Sequence, residues 1–372
     1  MASDDGGVTL SVLSLCVLSG IMHASWNLAM RQVKGDVAVL TGGLALSTCL
    51  LAPVALLDLA RASRFPFDAL PYVVATGVAH VVYIFLLSSM YSHQHGAVSV
   101  VYPVARGTGV MLTAILAGPV LGESIQPLNA LGILSIVCGV TLLGAAKAGV
   151  LVLGPLERGP LKHCWRQRET NPATRLEDEP AAGVSTDARE VETGQGGSKE
   201  LMPAAKPATS TAERMESAGT VVQEKTATRG NGCGAVLRGI LCGGSIACYS
   251  LVDKAGVSLM NPIPYLTGML IVELLGLLPY LLHSARTRDM CVEAWRCKKR
   301  FILIMGIGPT GTYLIILYAL TVAPASIVVA LREVSVVFAA IFGVVILGEQ
   351  VTLGLLMGVL FVGSGLVLTK LA

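Results

Sequence analysis

Two arginines and three carboxylates lie inside stretches of this chain that are otherwise apolar enough to be membrane helices. Arg332 and Glu333 sit in VVALREVSVVFAAIFGVVILGE, Val328 to Glu349, and Arg106 sits in VVYPVARGTGVMLTAILAGPVLGE, Val100 to Glu123. A charge near the middle of a bilayer costs at least ~2.5–3.5 kcal/mol even on a lenient insertion scale, so such groups must face protein or a wet cavity. A guanidinium is a planar fork of donors that fits a carboxylate or phosphate, which makes Arg106 and Arg332 the candidates for attracting an anionic group. Glu273, in LIVELLGLL, has no basic neighbour in its own run and needs a partner or a proton. Glu273 and Glu333 are the candidate proton carriers, although a structural hydrogen bond is the plainer reading of Glu273. Asp253, beside Lys254 at the end of its run, reads as an ordinary ionised carboxylate near water.

Helical spacing places further polar groups on shared faces. Arg332, Ser335, Ala339 and Gly343 fall at i, i+3, i+7 and i+11, and Ser99, Tyr102, Arg106, Gly109 and Thr113 repeat the arrangement in the other stretch. Other runs bring His23, Trp26 and Asn27; Thr76, His80 and Tyr83; Ser245, Tyr249 and Asp253; and Pro309, Thr310 and Tyr313. The candidate substrate-binding set is Arg106, Arg332, Asn27, Trp26, Tyr83, Tyr102, His80, Tyr249, Asp253 and Tyr313. Each histidine or tyrosine taken singly is more often a packing residue or an interface anchor. Glu123 and Glu349 precede helix starts, where a carboxylate serves as a cap in the field of the N-terminal dipole.

These residues need membrane helices to hold them. The chain has 372 residues, 53% hydrophobic and only 14% charged, against about a quarter charged in a soluble domain. Spanning a ~30 Å hydrocarbon layer takes ~20 residues at 1.5 Å each, and ten such runs follow. The first five are Val8 to Met30, Asp36 to Leu57, Leu70 to Tyr91, Ala97 to Val120 and Pro127 to Ala146. The second five are Ala235 to Val252, Ile263 to His283, Phe301 to Leu320, Ala325 to Leu347 and Thr352 to Lys370. The expected fold class is therefore all-α, a membrane protein of ten transmembrane helices. The acidic start, MASDDGG, lacks the positive region of a signal peptide, so the first run is expected to stay in the mature protein.

One shift of 226 positions aligns Arg106 with Arg332, Glu123 with Glu349 and Asn27 with Asp253. Five spans is an odd number, so the second half must enter the membrane in the opposite sense. Residues 1–150 and 235–372 are read as two inverted five-helix repeats, an arrangement that places a transporter's site at the repeat interface. Between them, residues 151–234 are rich in Glu, Lys, Arg, Thr, Ala, Pro and Gly and cannot bury a core, so a disordered linker is expected.

Several functions find no support. The nine cysteines show no metal spacing and five lie in apolar runs, no basic patch is interleaved with aromatics, and neither H-E-x-x-H nor G-x-S-x-G occurs. No enzymatic activity, cofactor, metal or nucleic acid is expected. The expected partners are a small-molecule substrate, the lipid bilayer and a second copy of the chain in a homodimer.

GIMHASWNLAMR in the first span, SVVYPVARGTG with LGE in the fourth, YSLVDKAGV in the sixth and ALREVSVVFAAIFGVVILGE in the ninth together resemble the EamA-type family of the drug/metabolite transporter superfamily. The resemblance covers both halves and excludes the linker. It implies a ten-helix bundle whose central cavity is lined mainly by spans one, three, four, six, eight and nine. It also implies transport of small polar metabolites, amino acids and organic anions among them; related branches carry nucleotide sugars and sugar phosphates. A receptor or scaffold without transport is the other reading of the chain. Orientation stays open. Short loops on one side hold Arg31, Lys34, Arg286, Arg288, Arg296, Lys298, Lys299 and Arg300, which the positive-inside rule places in the cytoplasm with both termini outside, whereas the resemblance implies both termini inside.

Overall fold

Apolar runs of membrane-spanning length leave the backbone no partner but itself, and the outcome is a bundle of helices. The computed structural model describes residues 10–33, 36–92, 97–147, 236–346 and 348–371. In the first half the helices are α1 (Leu10–Gln32), α2 (Val37–Arg61), α3 (Leu70–Ser92), α4 (Ala97–Leu121) and α5 (Pro127–Lys147). The second half holds α6 (Val236–Gly256), α7 (Pro262–His283), a short α8 (Ala285–Cys297), α9 (Lys299–Val322), α10 (Ala325–Leu331), α11 (Val334–Val345) and α12 (Leu353–Leu371). Among the described residues ten spans are long and apolar enough to cross a membrane, α10 and α11 together making the ninth. The expected linker, residues 151–234, lies outside the described residues.

Two features depart from the expected runs. The ninth span is broken: Glu333 N–H donates to Ala330 O, Ser335 N–H to Arg332 O and Val336 N–H to Glu333 O, at 2.9–3.2 Å. These i→i−3 bonds overwind the helix for one turn, as 3₁₀ segments do. The second departure is α8, which occupies the polar stretch between α7 and α9.

The repeat leaves a backbone signature. Gly122 and Gly348, 226 positions apart, end α4 and α11 with φ of +71° and +67°. Behind them Glu123 N–H donates to Ala117 O and Glu349 N–H to Gly343 O, the same reach of six residues at both ends, and Gly122 N–H donates to Gly118 O as in a cap closed by a left-handed residue. The seam between α5 and α12 also obeys the exchange. A Cβ on Gly139 would lie 2.7 Å from Gly358 O, one on Gly365 would lie 2.5 Å from Gly132 O, and these two contacts interconvert when the halves are swapped. Small residues let the two backbones touch, and Ser135 Oγ adds a 2.8 Å bond to Phe361 O, its own repeat counterpart.

The halves interleave instead of standing side by side. α1 and α2 pack on α9, α2 and α3 pack on α7, and α4 packs on α10. One apolar core joins α1, α3, α7, α9 and α10, a second joins α4, α5 and α12 with the broken span, and a third lies where α8 meets α1, α2 and α9. The break at Arg332 is held against α1, since a Cβ on Gly20 would collide with Val334 and approach Ser335 N to 3.1 Å.

Candidate functional site

The two repeat-related arginines end in different surroundings. Arg106 is buried and its guanidinium reaches across the repeat interface to Glu333, with Nε to Oε2 at 3.0 Å and Nη2 to Oε1 at 3.0 Å. Nη2 also donates to Ser335 Oγ at 3.0 Å. This bidentate pair satisfies both charges inside the protein. Arg332 has no such acid, because the counterpart of Glu333 in the first half is Gly107. Its buried Nε finds no hydrogen-bond acceptor, and no carboxylate pairs with it among the described residues.

Arg332 instead forms part of the wall of a cavity of about 130 Å³. The same wall carries His23 and Trp26 from α1, His80 and Tyr83 from α3, Tyr249 from α6, Glu273 from α7 and Thr310 and Tyr313 from α9. Trp26 Nε1 is a second buried donor without an acceptor among the described residues. The aromatic rings form a cluster about His80, which stacks on Tyr249 at 4.1 Å and meets Tyr313 edge-on at 5.0 Å between ring centroids. The Arg332 guanidinium carbon stands 6.0 Å from the centroid of Tyr313. His80 Nδ1 lies 3.0 Å from Thr76 O, and a carbonyl only accepts, so Nδ1 carries the hydrogen and Nε2 is the acceptor in the neutral ring. Glu273 is buried on the opposite helix, with His80 Nδ1 3.9 Å from Oε1, and receives no hydrogen bond among the described residues.

Asp253 is off this lining, and it is not near water as its place beside Lys254 suggested. It is 1% exposed, because the last turn of α6 faces α3, α7 and α9. Thr76 Oγ1 donates to it at 2.6 Å, Tyr265 Oη at 3.0 Å, and Tyr313 Oη closes the set. Asp253 thereby fixes the Tyr313 ring whose face borders the cavity. Lys254 points elsewhere and caps the end of α9, with Nζ 2.7 Å from Leu320 O and 2.9 Å from Ala323 O. Glu123 caps a helix of the other half: its carboxylate accepts from Ala325 N–H at 2.6 Å, Ser326 N–H at 3.2 Å and Ser326 Oγ at 2.8 Å, at the start of α10.

Of the residues singled out by spacing, the structure brings Arg332, Trp26, Tyr83, His80, Tyr249, Tyr313 and Glu273 together on one wall. Arg106 and Glu333 pair behind it, and Asn27 spends its amide on His23 O at 2.8 Å. The side chain of Tyr102 lies outside the described residues. The lining also departs from the span set that the resemblance implied. α2 contributes Leu40 and Leu44, α7 contributes Leu266, Met269, Leu270 and Glu273, and α4 contributes none of the described lining residues. The absence of α4 follows from Arg106 being turned into the inter-repeat pair. Apolar wall residues such as Met30, Met269 and Met305 carry no signal in sequence, since they read like any other membrane-helix residue.

Residues 234–371 match the model of the EamA-like transporter family. A solved crystal structure aligns with TM-score 0.57 over 98% of this chain and 98% of its own, at 13% identity, which is a likeness of fold. Among curated proteins none matches the chain in sequence. The chain is thus an integral, multi-pass membrane protein whose residues 234–371 match the EamA-like transporter family, part of the drug/metabolite transporter superfamily.

Proposed function

We propose that the protein transports a small zwitterionic or anionic metabolite, an amino acid or organic acid, by alternating access around the cavity at Arg332. The observation that carries this reading is the pair of orphaned buried donors, Arg332 Nε and Trp26 Nε1, on a wall that also holds the Glu273 carboxyl. Buried donors without acceptors are costly, and a bound carboxylate would relieve both. A cationic group on the same ligand would meet Glu273 and the aromatic faces of Tyr83, Tyr249 and Tyr313, which attract cations. Size points the same way: about 130 Å³ holds roughly ten water-sized groups, the scale of an amino acid and far below a nucleotide sugar. A phosphorylated sugar, the second reading, would set a dianion beside Glu273.

Alternating access is supported by the unequal ends of the bundle. Where α4 and α9 end, the halves are tied by Glu123 on α10 and Asn261 Nδ2 on Asp58 at 2.9 Å, while Lys254 closes the end of α9. The cavity wall runs the other way, to Met30, Leu40, Leu87 and Met305. A transporter family in residues 234–371 agrees with a protein that moves its substrate unchanged.

A ligand-stabilisation screen of the purified protein tests the proposal, because a solute that binds only the folded state raises its unfolding temperature by mass action. Amino acids or small organic acids should stabilise the wild type and leave Arg332→Ala unshifted. Stabilisation by sugar phosphates alone would favour the second reading.

A further inference from the structure

α8 is the one described helix too short and too polar to span, and it links the ends of two spans, α7 at His283 and α9 at Lys299. Its small residues Cys291 and Ala294, three apart, dock it on a core that includes Met30, Val39, Ile302 and Met305. The flanks of that docked face are apolar and outward. Met290, Val292 and Trp295 are exposed, Trp295 by 56%. Around them stand five exposed cations, Arg286, Arg288, Arg296, Lys299 and Arg300, against two exposed acids, Asp289 and Glu293. Lys298 is already engaged, with Nζ 2.7 Å from Asp36 Oδ2.

An exposed tryptophan and aliphatic side chains flanked by arginines, on a helix tied to the ends of two spans, match the chemistry of a bilayer interface. We propose that α8 with the Lys299–Arg300 start of α9 is a binding surface for the headgroups of anionic phospholipids. The indole sits at the headgroup level and the guanidinium forks take the phosphates. Charge complementarity selects anionic over zwitterionic lipid, because each basic side chain near such a surface adds attraction and the excess here is three. The surface also reaches the cavity rim, since Met30 and Met305 pack in the same core as Ala294 and line the cavity. The surface stands on α8 and the start of α9 and does not depend on the substrate assignment.

The chain has three tryptophans, so Trp26→Phe with Trp165→Phe leaves Trp295 as the sole indole of the full-length protein. The protein is reconstituted in vesicles of phosphatidylcholine with a minor fraction of phosphatidylglycerol, and the same mole fraction of one lipid or the other carries brominated chains. Brominated phosphatidylglycerol should quench Trp295 at least about twofold more than brominated phosphatidylcholine, and added salt should erase the difference. Arg288→Gln, Arg296→Gln and Arg300→Gln together should remove the preference while quenching by phosphatidylcholine persists, which also reports that α8 remains seated. Equal quenching by the two lipids in the unsubstituted surface overturns headgroup selection. Quenching by neither lipid places α8 in water and overturns the surface altogether.

Discussion

Breaking the Arg106–Glu333 pair should cost far more than removing it whole. Arg106→Ala strands a buried carboxylate, a change that destabilises by ~3–5 kcal/mol, whereas an apolar replacement of both partners is often neutral. Arg106→Ala should therefore lower the unfolding temperature or deplete folded monomer, and Arg106→Met with Glu333→Leu should recover most of the loss. If Arg106→Ala unfolds like the wild type, the pair is not a structural tie. Glu273 behaves differently because it lines the cavity, with His80 Nδ1 3.9 Å from its Oε1. As the candidate proton carrier it predicts that an imposed pH gradient alters uptake in wild type and not in Glu273→Gln. A gradient without effect on the wild type would leave a facilitator. The sequence shows Arg106 and Arg332 as equivalent positions, yet not their divergence. That divergence rests on a glutamate at 333 where the first half has Gly107, and on an overwound turn that ideal helical spacing cannot foresee.

At the scale of helices, the cap that Glu123 places on α10 is the contact most open to test. Glu123→Ala leaves the Ala325 and Ser326 N–H groups without their acceptor, each unsatisfied buried donor costing ~1–3 kcal/mol. Unfolding should shift to lower temperature in Glu123→Ala and recover in part in Glu123→Gln, whose amide oxygen still accepts. An unchanged midpoint in both would mean that the cap contributes nothing. The carboxylate before α5 is legible in sequence as a cap, but the helix it caps belongs to the other half, and only the packed structure supplies that pairing. The ten spans are legible because a long apolar run has few alternatives in a bilayer. The break in the ninth is not, since it is held by Gly20 of α1 pressing on Val334 and Ser335 and by Arg106 taking Glu333 and Ser335. α8 escapes notice because two small docking residues in a polar stretch resemble a loop.

The whole molecule reads as two five-helix halves on either side of a segment that is polar in sequence. Its composition predicts that replacing Thr170 to Thr226 with a short Gly/Ser segment leaves the ten-helix protein assembled as folded monomer in detergent; loss of that monomer would mean the segment packs on the bundle. The exchange of Gly132–Gly365 with Gly139–Gly358 and the paired left-handed glycines Gly122 and Gly348 give the duplication a structural basis, whereas the site itself is asymmetric. Arg106 is paired with Glu333, whereas Arg332 lines the cavity with an Nε that lacks an acceptor among the described residues, and the proposed carriage of a small acid rests on that difference. Uptake of radiolabelled amino acids into proteoliposomes tests this most directly. Saturable uptake by the wild type, abolished in Arg332→Ala and impaired in Arg332→Lys because an ammonium lacks the bidentate fork, is the predicted result. Undiminished uptake by Arg332→Ala that still inserts and folds would contradict it.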